Sequence, residues 1–312
     1  MNKILVTGAN GFVGSALCDT LHKRGIPHIG AVRKNKAEFQ YETGDLTCAT
    51  DWSQALSGCD VVIHLAARVH VMKDKANDPF RAYREVNVNA TLNLAKQAIG
   101  HGIRRFVFVS SIKVNGESTS GKPFTSCDMP EPLDPYGQSK LEAERALQAL
   151  SRQSGMELVI VRPPLIYGPG VRANFLWLMQ LVKLGLPLPF KDISNRRSMV
   201  ALENLVELLV VCANHPKAAG EIFLVSDDND LSISELIRLI ANSMGRQPIL
   251  LPIPVWLIKG FLAVLGKSAI ADRLLGSLQM DIAHTKKTLN WKPLIDTSTA
   301  VEKTVSHFLG EM

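Results

Sequence analysis

The chain of 312 residues is 46% hydrophobic and 21% charged, with a formal net charge of +6. That is the composition of an ordinary globular protein, able to bury a large core as one α/β unit or as two lobes. The basic residues are dispersed and no nucleic-acid-binding motif accompanies them, so a polyanionic small molecule is the expected partner and nucleic acid is not.

The opening "MNKILVTG" alternates like a strand, so no signal peptide is expected and the protein is expected in the cytoplasm. Cys18, Cys48, Cys59, Cys127 and Cys212 form no CxxC pair, and the eight histidines form no HxxxH or His/Cys cluster. Reduced thiols and no catalytic metal are therefore expected. In chain order, Ile4–Thr7, Ile29–Val32, Val61–Leu65, Phe106–Val109 and Leu158–Val161 are short apolar strands. Helical patterns over Gly11–Arg24, Pro79–His101 and Tyr136–Ser154 alternate with them. That rhythm implies right-handed βαβ crossovers and a parallel sheet covered on both faces.

After Arg162 the rhythm breaks at a Pro/Gly-rich loop, "RPPLIYGPG". One more strand is expected at Ile222–Val225, with helices at Ser232–Met244, Asp281–Leu289 and Thr299–Phe308. The longest apolar run, Pro252–Gly266, is broken by Lys259 and Gly260 and is shorter than the ~20 residues of a bilayer span. It is expected as a buried or partner-facing helix, with membrane-surface contact as the sharper alternative and no transmembrane segment. The expected organisation is a Rossmann-type, doubly wound parallel sheet over residues 1–163. A smaller, mixed substrate lobe over 164–312 follows, interleaved with the sheet around 197–226.

"TGANGFVG" sets Gly8, Gly11 and Gly14 between the first strand and a helix. Glycines there let the backbone turn tightly and approach a pyrophosphate, and the helix N-terminus offers free N–H groups. Further along, Asp45 and Leu46 of "GDL" follow the third strand region, where a carboxylate can accept from an adenine amine. Ala66 and Ala67 of "HLAA" end the fourth strand and leave room for a cofactor, and His64 is expected in the core. An acidic residue ending the second strand would grip the 2′-hydroxyl of NAD; here Val32 is followed by Arg33 and Lys34. Two cations favour a 2′-phosphate, hence NADP(H), with NAD(H) possible.

"DPYGQSKLEAE" stacks Tyr136 and Lys140 on one helix face. A nearby ammonium favours tyrosinate and should lower the Tyr136 pKa, giving a phenol able to donate or accept a proton. With Ser111 at an earlier strand end, the set resembles that of the extended short-chain dehydrogenase/reductases, the NAD-dependent epimerase/dehydratase family. "TGANGFVG", "GDL", "HLAA", "NVNATLNL", "VSSIKVNG", "YGQSK", "RPPLIYGPG" and "LNWKP" carry the resemblance over nearly the whole chain.

The resemblance implies a catalytic set of Ser111, Tyr136 and Lys140, supported by Asn87. It also implies cofactor contacts from Asn10, Phe12 and Val13 beside the three glycines, and from Leu65, Arg68, Asn87, Val109, Tyr136, Lys140 and Pro163. Asn174, Phe175 and Arg197 match positions that hold a sugar-nucleotide diphosphate in the family, with Arg273 as a second contact. Lys113 and Asn115 are expected to shape the sugar pocket. The family's acidic pair is reduced here to Glu203 beside Asn204. Dimerisation through the helices at Pro79–His101 and Tyr136–Ser154 is expected by analogy.

Sugar dehydratases carry Thr-Asp-Glu where this chain reads Ser111-Ile112-Lys113. Elimination of water needs one group to take a proton and another to give one, so dehydration is disfavoured. The Arg33 signal tilts the expectation toward NADPH-dependent reduction of the C4 ketone of a UDP-4-keto-6-deoxy-N-acetylhexosamine, made for bacterial surface polysaccharide (O-antigen). The alternative is a UDP-glucose or UDP-GlcNAc 4-epimerase with retained NAD. A non-catalytic NADP-binding sensor is the third reading, against which the intact Ser111/Tyr136/Lys140 set argues.

Overall fold

A computed structural model of the chain describes residues 3–34, 39–69, 78–264, 266 and 274–310. Four apolar residues make β1 (Ile4–Thr7), followed by α1 (Phe12–Lys23), β2 (His28–Val32), β3 (Gln40–Glu42), the single turn α2 (Ser53–Leu56) and β4 (Val61–His64). One long helical stretch comes next: α3 (Pro79–Arg84), a π-helical segment over Glu85–Ala90, and α4 (Thr91–Gly100). Then come β5 (Arg105–Val109), α5 (Pro135–Ser154), β6 (Glu157–Arg162), β7 (Leu165–Tyr167), α6 (Ala173–Leu184), β8 (Met199–Ala201), α7 (Leu202–Asn214) and β9 (Ile222–Leu224). The rest comprises α8 (Ile233–Ser243), α9 (Val255–Val264) and helices at Ala283–Leu289 and Thr297–Leu309.

The main sheet has the order β3-β2-β1-β4-β5-β6-β9, with every pair parallel. This is a Rossmann-type doubly wound sheet. Its strands are buried on both faces, which is why β1, β4 and β5 each hold at least three consecutive apolar residues, at 4–6, 61–63 and 106–109. Strand order reverses between β1 and β4, so the crevice at their carboxyl ends is the place such a sheet offers a ligand.

The strand and helix pattern expected up to Arg162 is present, with ends shifted by one or two residues. Beyond it, α6 and α7 are additional helices that the mixed pattern does not single out, and β7 and β8 form a second, two-stranded parallel sheet. The last strand, β9, returns to the edge of the main sheet beside β6. Buried polar groups fasten this return. Arg105, a charge within β5, bonds Glu157 at 2.7 Å and donates to the carbonyls of Cys212 and His215, which close α7. A cation suits that helix end because the last carbonyls lack intrahelical partners. Asp227, just past β9, accepts from Tyr167 (2.6 Å), Ala201 N–H and Asn204, while Asn204 also holds the backbone at Leu294 and Ile295. Asn204 is therefore a structural hub.

Candidate active site

The first loop is built for close backbone approach. Gly8 has φ +67°, and a Cβ there would lie 3.0 Å from the Ala66 nitrogen. At Gly14 a Cβ would lie 2.1 Å from the Gly8 carbonyl, so no side chain fits. Gly8 accepts from Gly11 N–H at 2.9 Å, turning the chain into α1, which begins at Phe12. Across the switch point, Thr7 Oγ1 accepts from Leu65 and Ala66 N–H. The cradle thus joins β1, α1 and β4, and its glycines, free N–H groups and small alanines fit a dinucleotide.

Other expected cofactor residues lie after β2, in the π-helical segment and after β6. β2 ends at Val32, and beyond it exposed Arg33 faces Asp45 at 3.6 Å. Asn87 lies in the π-helical segment, a device frequent at functional sites. Its side chain accepts from Arg68 N–H (2.8 Å) and donates to Arg68 C=O (3.1 Å) and to Ser139 Oγ (3.0 Å). This one buried amide joins the loop after β4 to the helix carrying Tyr136 and Lys140. Pro163 is buried, and its carbonyl accepts from Ile112 N–H at 2.9 Å.

The sequence of α5 explains its placement. Asp134 caps it by accepting from Gly137 N–H at 2.7 Å, Pro135 opens it, and Gly155, at φ +77°, ends it. Along one face of the helix stand Tyr136, Lys140 and Glu144. Lys140 is buried, donates to the Val109 carbonyl at 2.9 Å and lies over the Phe108 ring at 4.7 Å. Burial pushes its pKa down to about 8, against the opposing charge of Glu144. The Tyr136 ring is 6.0 Å from the Lys140 Nζ, and its hydroxyl is hydrogen-bonded to Ser111.

The expectation that the ammonium lowers the Tyr136 pKa is corrected here. Burial, partial by exposed area, and the Asp134 carboxylate raise it above the usual phenol range; the Ser111 hydrogen bond opposes them. Tyr136 is thus held as a neutral phenol, able to donate. His64 is a core residue, its ring nitrogens bonded to Thr7 (2.7 Å) and Thr91 (2.8 Å). Burial, then the Lys140 charge, hold it neutral with a pKa pushed down to about 3.

The residues expected to contact substrate have the following partners within the protein. Asn115 is buried and turned to internal partners: it donates to Thr125 C=O and accepts from Arg162 at 3.0 Å. Arg162 is itself paired with Glu144 at 2.5 Å, both side chains almost fully buried. Lys113 is paired with Glu117 (2.8 Å) and Asp134. Phe175 stacks on Tyr167 at 5.2 Å inside a buried hydrophobic cluster that also holds residues of α8 and of the helix Thr297–Leu309, because its position in α6 points it inward; neighbouring Asn174 is exposed. Arg197 is half-buried and donates to Gly276 C=O at 3.0 Å, while its backbone bridges to Leu231. Arg273 lies outside the described residues.

The structure also recruits residues that the motifs do not announce. Tyr83 packs its ring edge-on to Tyr136 at 6.1 Å and stacks under Arg68. It stands one helical turn before Asn87, and Glu144 stands one turn after Lys140; that i, i+4 spacing is the only sequence signal for either.

The model of the NAD-dependent epimerase/dehydratase family matches residues 4–226. The chain belongs to that family. It is 49% identical over 315 residues to a UDP-glucose 4-epimerase of Vibrio cholerae, covering 98% of this chain and 95% of the relative. Among solved structures, a UDP-N-acetylglucosamine 4-epimerase from Bacillus cereus superposes with a TM-score of 0.81 at 22% identity, all of both chains being covered. A UDP-glucuronic acid 4-epimerase from the same organism, in complex with NAD, superposes at 0.80 and 22% identity over 99% of each chain. At those identities the two structures speak to the fold.

Proposed function

We propose that this family member is a 4-epimerase of a UDP-hexose or UDP-N-acetylhexosamine that works with a retained nicotinamide cofactor. The observation that carries this reading is the 49% identity, along almost the whole chain, to a UDP-glucose 4-epimerase. It favours the alternative of the two chemistries weighed from the sequence over 4-keto reduction.

The glycine cradle at Gly8–Gly14, with Ala66 and Ala67, would hold the dinucleotide. When bound, the oxidised nicotinamide would serve first as acceptor of the C4 hydride and then, reduced, as its donor. Ionised to its phenolate, Tyr136 would take the proton from the sugar C4 hydroxyl and, as the phenol so formed, return it to the C4 oxygen after the ketone has turned over. Ser111, hydrogen-bonded to that phenol, steadies the same oxygen and favours the phenolate. Lys140, fixed on the Val109 carbonyl, keeps a positive charge near Tyr136 below pH ~8, which opposes without cancelling the burial and the Asp134 charge that keep the phenol protonated. Ile112, turned into the core, offers no acid or base at the position a dehydratase would use, and Lys113 is neutralised by two carboxylates.

One observation favours 4-keto reduction as a second reading: Arg33 and Lys34 follow β2, with no carboxylate ending that strand. Incubation with UDP-glucose and UDP-GlcNAc, in parallel with a UDP-4-keto-6-deoxy-N-acetylhexosamine plus NADPH, separates the two. The epimerase reading expects C4 epimers without net cofactor consumption. Consumption of NADPH with the ketosugar alone would overturn it.

A further inference from the structure

The apolar run at Pro252–Gly266 is absorbed neither by the sheet nor by the site. In the structure α9 is anchored by Ile258, which is 7% exposed, while Trp256 on the opposite side is 70% exposed. The surface around it is continued by a neighbouring segment. Leu188 N–H donates to the Ile249 carbonyl at 2.9 Å, Leu251 N–H to Leu188 at 2.8 Å, and the Arg246 guanidinium to the Lys183 carbonyl at 2.6 Å. Segments 183–191 and 246–251 therefore lie side by side, and they present Leu184, Leu186, Ile249 and Leu251 to solvent next to Val255 and Trp256. An exposed apolar patch of this breadth on a soluble chain marks an interaction surface.

Its charge pattern names the occupant. Residues 183–191 and 246–264 hold Lys183, Lys191, Arg246 and Lys259, all exposed, and contain no Asp or Glu. Apolar side chains ringed by cations, with an indole at the edge, fit the interface of an anionic bilayer. A ten-residue helix is too short to cross one, and among the described residues no helix is long and apolar enough to do so. We propose that this face of the second lobe rests on an anionic lipid surface, with α9 in the interfacial plane and Trp256 among the headgroups.

The test is flotation of the full chain with vesicles of phosphatidylglycerol and phosphatidylethanolamine, against vesicles of phosphatidylcholine alone. The chain is expected to float with the anionic vesicles, to release as salt is raised, and to stay behind with phosphatidylcholine. Each of Lys191→Gln and Lys259→Gln should weaken partitioning about fivefold, and Trp256→Ser on the order of tenfold. Circular dichroism and thermal unfolding check that each variant is folded. Failure to float with anionic vesicles at low salt, or undiminished binding by folded Trp256→Ser, would overturn the proposal. So would a dimer in sedimentation that Trp256→Ser dissociates and that ignores vesicles, because a second copy would then cover the face.

Discussion

The two sides of the molecule treat polarity in opposite ways. Around α5, charged and polar groups are taken out of water and given partners: Lys140 on Val109, Glu144 on Arg162, Arg162 on Asn115, and Asn87 on Arg68 and Ser139. Around α9, apolar groups are left in water with cations beside them. In the first region burial sharpens electrostatics and fixes geometry, which is what the proposed proton transfer at Tyr136 would require. In the second, exposure of Trp256 does nothing for folding and points outward. Substitutions should therefore be costly in the first region and nearly silent for stability in the second.

The largest effect expected is on rate. Tyr136→Phe should keep the fold and cofactor binding while turnover falls roughly 10²–10⁴-fold; steady-state kinetics at near wild-type turnover would remove Tyr136 from the chemistry. Next is Glu144→Gln, which leaves Arg162 as an unpaired buried charge. Urea unfolding should show a loss of about 3–5 kcal/mol. The variant's kcat/KM should also decline at lower pH than wild type, since Glu144 holds the Lys140 pKa up. Gly14→Ala, with its Cβ driven against the Gly8 carbonyl, should cost about 1–3 kcal/mol and abolish dinucleotide binding in calorimetry.

A pH series sharpens the contrast. Lys140 sits at about 8 in the folded chain, below its ordinary value of about 10.4, so the unfolded chain binds more protons between those values. Stability from this group should rise with pH across that window, and the cost of burying the ammonium is present in full below it. Over the same range kcat/KM should decline as the ammonium is lost. The smallest effect belongs to the second region: Trp256→Ser should shift stability by no more than about 0.5 kcal/mol, and a larger loss in thermal unfolding would mean that α9 is structural.

The sequence carried the sheet and the cofactor loop because both depend on local rules. Gly8 and Gly14 announce a close approach by their spacing, and Tyr136 and Lys140 share a helix face by theirs. The supporting network was hidden because its members meet only across elements. Arg162 and Glu144 are 18 residues apart and join β6 to α5; Asn115 and Arg162 are 47 apart. Asn115 occupies a loop close to Ser111, so chain position suggests a pocket residue, whereas its amide turns inward to Arg162. Phe175 misleads in the same way, since adjacency to Asn174 says nothing of which side of α6 it faces. The charge on Lys113 is visible in the sequence, but its neutralisation by Asp134 depends on how the loop before α5 folds back.

The proposed chemistry turns on whether hydride leaves and returns within one turnover, and isotope tracing reads this directly. UDP-glucose carrying deuterium at C4 would be converted in the presence of excess unlabelled NADH and NADPH, and the product examined by NMR. A retained-cofactor epimerase gives the C4 epimer with deuterium still at C4. Loss of the label to the medium's nicotinamide, or conversion only of an added 4-ketosugar with unlabelled hydride entering C4, would contradict it.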